Sequence, residues 1–146
     1  MTEGARLRVA VVAYHASPLA EPGAGDAGGM TVYVRSIAEE LARSGVHTDI
    51  FTRADGRAPR IYHLSQNVRV VAIESGPRAP VDKERQHEFI EDFVAGARAF
   101  AAGQRVGYDI IHSHYWQSGV AAARRRDTQA ASTPHRLRRP RRLPQL

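Results

Sequence analysis

The sequence contains no cysteine, which excludes disulfide frameworks, thiolate zinc sites, iron–sulfur clusters and cysteine nucleophiles. It also has no apolar run approaching the roughly 18 residues that span a bilayer, and its first residues lack the apolar stretch of a secretory signal. We therefore expect a soluble, cytoplasmic protein without a membrane span. A length of 146 residues with 42% hydrophobic residues fits one domain with a modest core.

Acidic side chains are scarce only in the last part of the chain. Residues 1–123 carry 13 basic and 14 acidic side chains, whereas residues 124–146 carry eight arginines and one aspartate. The net charge of +6 therefore belongs to a tail and indicates little about the partners of the folded body.

Hydrophobic periodicity is lost in this Arg- and Pro-rich tail, whose composition resembles GC-rich DNA translated out of frame. We expect residues 124–146 to be disordered, as the product of a frameshifted or truncated gene. A tail that binds nucleic acid is the alternative, because arginines neutralise phosphates. No aromatic residue lies among these arginines to stack on bases, so nucleic acid is not the partner that we expect.

Short apolar runs alternate with amphipathic helical patterns along the first 123 residues. The patterns predict strands at 7–14, 46–52, 68–73 and 108–112, with a further short strand allowed at 61–64. They predict helices at 30–43, from Asp82 to just before Gly103, and from 119 onward. This order indicates an α/β fold with a Rossmann-like, mostly parallel sheet. Large apolar residues on the helical faces are assigned to the core: Val34, Ile37, Leu41, Phe89, Phe93 and Phe100.

Residues 15–29, rich in Gly and Pro, form a predicted loop after the first strand. Ligands of open parallel sheets bind beyond the carboxyl ends of the strands, so this loop, Thr52-Arg53 and residues 112–114 should converge there. Residues 23–28 fit G-x-G-x-x-G, with Asp49 about twenty residues further on, so dinucleotide binding is one interpretation. However, eight residues separate the first strand from this motif, and Asp49 lies inside a strand.

A second interpretation assigns Gly28 and Gly29 to a helix N-terminus whose backbone N–H groups favour a phosphate or sugar hydroxyl. A flexible surface loop without a ligand is the alternative. His112 and His114, two residues apart on a strand, suggest a metal pair, but the spacing places no third ligand. We therefore interpret these histidines as polar side chains that orient a ligand at a strand end rather than as a metal site.

Four blocks of the sequence resemble, in the same order, retaining family 4 glycosyltransferases of the GT-B fold. These blocks are residues 15–34, Phe51-Thr52-Arg53, Asp82-Lys83-Glu84 and residues 112–119. The resemblance covers residues 7–123 and implies that residues 1–123 are the truncated N-terminal, acceptor-binding part of such an enzyme. In this family the N-terminal domain binds the acceptor, a C-terminal domain binds the UDP-sugar, and transfer occurs between them.

The resemblance also implies roles for individual residues, taken from members that glycosylate inositol phosphate. Positions that hold the acceptor match His15, Asp26, Ala27, Gly28, Gly29, Met30, Thr31, Lys83 and Tyr115. Positions that touch the nucleotide-sugar match Glu21, Pro22 and Gly29. Lys83 offers a positive charge to a phosphate, Tyr115 a hydroxyl, and Asp26 an acceptor for polyol hydroxyls. A solvated lysine and packing aromatics are the alternatives for Lys83 and for Tyr115-Trp116.

Some features depart from the family pattern. Glu21 stands where these members have Gln and Thr31 where they have Asn, so the acceptor is inositol phosphate or another polyol or sugar. The family's acidic donor-site block and the cations that neutralise the leaving diphosphate are absent from the sequence. We therefore expect this chain to be inactive alone, with no assigned catalytic residue. The nucleotide-sugar is a co-substrate, and no bound cofactor or metal is implied.

Overall fold

The computed structural model of the chain describes residues 6–15, 17–21, 28–56, 60–114, 119–121 and 123. Within these residues the elements follow the predicted alternation of strands and helices. They are β1 (Arg8–Val12), α1 (Gly29–Arg43), β2 (His47–Arg53), β3 (Ile61–Ser65), β4 (Val68–Ile73), a 3-10 helix (Gln86–Phe89), α2 (Ile90–Gly103) and β5 (Ile110–Ser113).

The strands form one sheet in the order β3-β4-β2-β1-β5. β1 pairs in parallel with β2 and β5, and β2 pairs in parallel with β4, while β3 runs antiparallel to β4. The predicted α/β fold with a mostly parallel sheet is confirmed. The four parallel strands end on the same side, which we call the carboxyl edge of the sheet.

Alternate residues of the strands supply two apolar layers, one on each face of the sheet. Val12 and Phe51 pack with Phe93 of α2, and Val11 and Ile50 belong to the cluster that contains Val34 of α1. Burial on both faces explains why the central strands read as nearly continuous apolar runs. Both helices therefore cover the sheet and leave its carboxyl edge as the place where polar loops emerge.

The helix predicted from Asp82 is wrong at its start, because α2 begins at Ile90. The carbonyl of Asp82 accepts a hydrogen bond of 2.9 Å from the Arg85 backbone N–H, which closes a turn. Side chains of the sheet hold the backbone on either side of this turn, as described below, and they override the helical pattern. The stop predicted for α1 is confirmed, since Gly45 takes a positive φ of 79°.

The predicted core residues are buried to different degrees. Val34 and Phe93 are fully buried, and the others are half-buried: Ile37, Leu41, Phe89 and Phe100. Residues 119–121 and 123 are helical, as predicted, whereas the tail at 124–146 lies outside the described residues. None of the helices in the described ranges combines the length and apolarity needed to cross a bilayer.

Candidate functional site at the carboxyl edge

The carboxyl edge gathers the polar segments that the sequence predicts there. His15 follows β1, Arg53 ends β2, and Ser113 ends β5. The His114 N–H donates to the Val12 carbonyl at 3.0 Å, so the pairing of β1 with β5 continues to this edge. Of the residues assigned by resemblance, His15 is half-buried and Glu21 exposed. Four others lie outside the described residues: Pro22, Asp26, Ala27 and Tyr115.

The N-terminus of α1 also lies at the carboxyl edge. Gly28 is its N-cap, with an extended backbone and no side-chain capping bond, and its carbonyl accepts from the Thr31 N–H at 3.1 Å. A Cβ built on Gly28 or Gly29 meets nothing within 4 Å among the described atoms. Internal packing in this part of the chain therefore does not require glycine at either position. With respect to the residues that the structure describes, the space beside these glycines is open, and such a helix N-terminus suits an approaching anion or hydroxyl.

Two neighbours of these glycines complete the start of α1. Met30 is half-buried, and Thr31 is only 2% exposed. The Thr31 hydroxyl has no hydrogen-bond partner among the described residues. A buried hydroxyl costs free energy unless it is satisfied, so Thr31 offers a donor and acceptor to a ligand or to the loop before it.

A hydrogen bond connects the end of β1 to the loop that carries Lys83. The buried Tyr14 hydroxyl donates to the Gln86 carbonyl at 2.6 Å, and the Gln86 Nε2 donates to the Val81 carbonyl at 3.0 Å. Lys83 lies between these two anchored residues, and His15 directly follows Tyr14. Burial raises the pKa of Tyr14, against the opposing effect of a hydrogen bond with Ser75, so the phenol remains a donor at neutral pH.

Arg53 lies at the carboxyl edge, as the sequence predicts, but its contacts with the following segment were not predicted. Its side chain is buried, with the residue 7% exposed, and it reaches residues 75–89, hereafter the 75–89 segment. The Nε donates to the Ser75 carbonyl at 2.8 Å and the Nη1 to the Ala79 carbonyl at 3.0 Å, while the Nη2 donates to the Pro77 carbonyl. The available signal was an arginine at the end of a strand that is otherwise buried.

Packing around Phe89 fixes the shape of the same segment. The Arg53 guanidinium carbon lies 5.9 Å from the centroid of the Phe89 ring, and the Ser75 hydroxyl donates to the Phe89 carbonyl. Gly76 has a φ of 70°, and a Cβ there would lie 2.6 Å from the Phe89 ring. Glycine is therefore required at position 76 both for its backbone and for the close approach of the ring.

His112 in β5 and His114 just after it form an aromatic cluster with Tyr33. The His114 ring centroid lies 5.5 Å from that of Tyr33 on α1 and 4.4 Å from that of His112. Burial lowers the pKa of His114, and the charge of His112 lowers it further. Within the described part of the chain, no group of three or more His, Asp or Glu residues is placed to hold a metal ion.

Asp49 does not have the environment that the dinucleotide interpretation requires. Its Oδ1 accepts from the Arg69 Nε at 2.7 Å, and its Oδ2 accepts from the Arg69 Nη2 at 2.8 Å and from the Tyr108 hydroxyl at 2.6 Å. The residue is 5% exposed. Because the carboxylate is buried and both of its oxygens already accept from protein donors, Asp49 is not available to the hydroxyls of a ribose.

The chain is similar to known glycosyltransferases in sequence. Residues 28–145 match the family described as a glycosyl transferase 4-like domain. The chain is 44% identical over 114 residues to D-inositol 3-phosphate glycosyltransferase of Corynebacterium glutamicum (strain R), covering 77% of this chain and 27% of that protein. The protein of the same name from Arthrobacter sp. (strain FB24) is 47% identical over 116 residues, covering 78% of this chain and 28% of its own length.

The fold is similar to that of a solved GT-B enzyme, sucrose-phosphate synthase from Thermosynechococcus elongatus. The TM-score is 0.78 with 34% identity, over 84% of this chain and 30% of that one. A second structure of the same enzyme, of a shorter chain, gives a TM-score of 0.66 with 29% identity, over 83% of this chain and 57% of that one. The chain thus spans less than a third of the length of the curated relatives quoted above. It belongs to the glycosyl transferase 4-like family.

Proposed function

We propose that this chain provides the acceptor-binding part of a glycosyltransferase that moves a sugar from a nucleotide-sugar to a polyol phosphate such as inositol phosphate. The observation that carries the proposal is the hydrogen bond from the Tyr14 hydroxyl to the Gln86 carbonyl. This bond brings the loop that carries Lys83 to Tyr14, the residue directly before His15. A cation, a histidine and an open helix N-terminus at one edge suit a ligand that combines phosphate and hydroxyl groups.

Lys83 is assigned to the phosphate of the acceptor. The Lys83 ammonium is a compact positive charge with three donors, and it lies in a segment anchored on both sides. The backbone N–H groups of Gly28 and Gly29 are assigned to the same ligand, together with Met30 and Thr31. His15 is assigned to a hydroxyl of the polyol, with Asp26, Ala27 and Tyr115 completing the contacts by resemblance.

The donor is assigned to residues that match the nucleotide-sugar contacts of the family. Glu21, Pro22 and Gly29 match positions that touch the nucleotide-sugar in the family, and the sugar is UDP-linked in this proposal. Neutralising the departing diphosphate needs positioned cations, which the family places in another domain. We therefore propose that the chain by itself binds the acceptor, that it does not turn over, and that the nucleotide-sugar acts as a co-substrate without a metal or bound cofactor.

Calorimetric titration of inositol 3-phosphate into the purified chain tests the assignment. We expect saturable binding that weakens about tenfold or more in a Lys83→Met variant, because a charge-assisted hydrogen bond is lost. Arg85→Met is the matched control, since Arg85 lies two residues away on the surface and pairs with Glu88. Myo-inositol and inorganic phosphate, titrated separately, show which half of the ligand carries the affinity.

Two results would contradict the proposal. Equal affinities of the wild-type and Lys83→Met chains would remove Lys83 from the phosphate site. Saturable binding of a nicotinamide dinucleotide with no binding of inositol 3-phosphate would favour the dinucleotide interpretation, despite the occupied carboxylate of Asp49.

A further inference from the structure

We propose that Arg53 is a positioning residue of the acceptor site, whose buried guanidinium holds the 75–89 segment and thereby sets the place of Lys83. This inference rests on the proposed function, since it concerns the cation assigned to the acceptor phosphate. Neither the family resemblance nor the comparisons assign a role to Arg53. Its three donated hydrogen bonds end on carbonyls of one short stretch, those of Ser75, Pro77 and Ala79.

The geometry requires a guanidinium. Three carbonyls at alternate positions of the chain are satisfied by donors that spread in one plane, which the arginine fork provides and the lysine ammonium does not. The ring of Phe89 covers the cation at 5.9 Å. A buried cation with this many partners fixes the backbone that carries them, because moving the segment would leave the charge unsatisfied.

Arg53 at the end of β2 and Tyr14 just after the adjacent β1 both bind the 75–89 segment through hydrogen bonds. The Arg53 backbone N–H donates to the Tyr14 carbonyl at 3.2 Å, so the two residues are themselves connected. Arg53 holds the beginning of the segment, and Tyr14 holds its end through the Gln86 carbonyl. Lys83 lies between the two anchor points, and neither anchor contributes the charge that meets the ligand.

Amide hydrogen exchange of the full chain tests the hold on the segment without any ligand. In an Arg53→Lys variant, which keeps the charge, we expect amides of the 75–89 segment to exchange about tenfold faster or more while β1 and α1 keep their protection. Arg78→Lys is the matched control, because Arg78 belongs to the same segment but its exposed side chain pairs with Glu74 on the surface. Exchange there should remain as in the wild-type chain.

A double-mutant cycle tests whether Arg53 affects ligand binding through the position of Lys83. Affinity for inositol 3-phosphate should fall about tenfold in the Arg53→Lys chain, and the same change should cost little more once Lys83 is Met. A merely structural role would give losses that add in the double variant. If Arg53→Lys does not fold, Ser75→Ala loosens the same segment by removing the hydroxyl that bonds the Phe89 carbonyl and Tyr14, and it leaves the buried cation in place. It should then give the same faster exchange and the same loss of affinity that depends on Lys83.

The outcomes separate the two proposals. Faster exchange confined to the 75–89 segment, with an affinity loss that depends on Lys83, supports the positioning role. Unchanged exchange, or losses that add, overturns that role while leaving the acceptor site intact. If the wild-type chain binds no inositol 3-phosphate, the proposed function is wrong, and so is the positioning role of Arg53 in it, regardless of the amide exchange rates.

Discussion

The Tyr14 hydroxyl and the Gln86 carbonyl, separated by 72 positions in the chain, are joined by a buried hydrogen bond of 2.6 Å. Tyr14 also packs edge-on against Phe93 of α2, with ring centroids 4.8 Å apart. One side chain therefore connects the core, the first strand and the loop that carries Lys83. This connection explains how residues far apart in the sequence reach the same edge of the sheet.

Replacing Tyr14 by Phe should lower the free energy of unfolding by about 1–3 kcal/mol, because the buried Gln86 carbonyl loses its donor. Urea denaturation at neutral pH measures the loss. Tyr62→Phe, at an exposed tyrosine of β3, should change stability by less than about 0.5 kcal/mol. A loss at position 62 as large as that at position 14 would contradict the role of the buried hydroxyl.

Ionisation of Tyr14 should also lower the stability of the folded chain at alkaline pH. Burial raises the pKa of Tyr14 in the folded chain above its ordinary value of 10.0, so the unfolded chain loses this proton first. The contribution is fully present below about pH 10 and is lost as pH rises toward the folded pKa. Urea midpoints measured above and below pH 10 should therefore fall more steeply for the wild-type chain than for Tyr14→Phe. Parallel slopes would show that Tyr14 is not the group responsible.

Sequence periodicity predicts most of the sheet because the strands bury both faces, and such strands are continuous apolar runs. Residues 68–73 are predicted with the bounds that β4 has in the structure. The start of α2 could not be predicted in this way. Tyr14, just after β1, and Arg53, at the end of β2, hold the backbone before Ile90. A helical pattern around Phe89 contains no information about such distant partners.

The candidate site, like the fold, could be predicted from the sequence only in part. The meeting of the β1, β2 and β5 ends at the carboxyl edge follows from parallel strands alone and is confirmed, whereas part of the predicted loop at 15–29 lies outside the described residues. The contributions of Arg53 and Tyr14 could not be predicted, because both depend on which backbone carbonyls lie within reach in three dimensions. The roles assigned to Lys83, His15 and the glycines come from resemblance and stay predictions.

Asp49 of β2 and Arg69 of β4 form a mostly buried bidentate ion pair. Asp49→Asn should cost about 3–5 kcal/mol of unfolding free energy, because the Arg69 guanidinium loses its counterion. Glu40→Gln, which breaks an exposed pair with Arg43, should cost at most about 1 kcal/mol. Similar urea midpoints for the two variants would show that the buried pair has no special weight.

His114 should make the chain sensitive to mild acid. Burial lowers the pKa of His114 in the folded chain from its ordinary value of 6.5, so the unfolded chain takes up the proton first as pH falls. The stability contribution is therefore present above about pH 6.5 and is lost as pH falls toward the folded pKa. Urea denaturation at pH 7.5 and 5 (about 25 °C) should show a smaller loss for His114→Gln than for the wild-type chain.

The neighbouring histidine provides a check on the cause. The charge of His112 is the second contribution that lowers the pKa of His114, after burial. In an NMR titration of the imidazole protons, His112→Gln should raise the pKa of His114 without restoring its ordinary value. A titration of His114 that is indifferent to this change would leave burial as the only cause.

Gly29 and Gly103 form a matched pair for testing the N-terminus of α1. A Cβ built on either residue meets nothing within 4 Å in the described part of the chain. Gly29 begins α1 at the carboxyl edge, whereas Gly103 ends α2. Alanine at either position should therefore fold, with stability unchanged or raised by about 0.4–1 kcal/mol through the unfolded chain.

Only Gly29→Ala should affect ligand binding. The added methyl group would occupy the open space above the first turn of α1 and hold a phosphate or hydroxyl away from the backbone N–H groups. We expect affinity for inositol 3-phosphate to fall about tenfold or more in Gly29→Ala, the cost of losing a hydrogen bond to a charged group, and to stay at the wild-type value in Gly103→Ala. Calorimetric titration of the two variants beside thermal unfolding separates binding from stability. Equal affinities in both variants would mean that the ligand does not approach this helix N-terminus, and the acceptor would then have to bind elsewhere on the carboxyl edge.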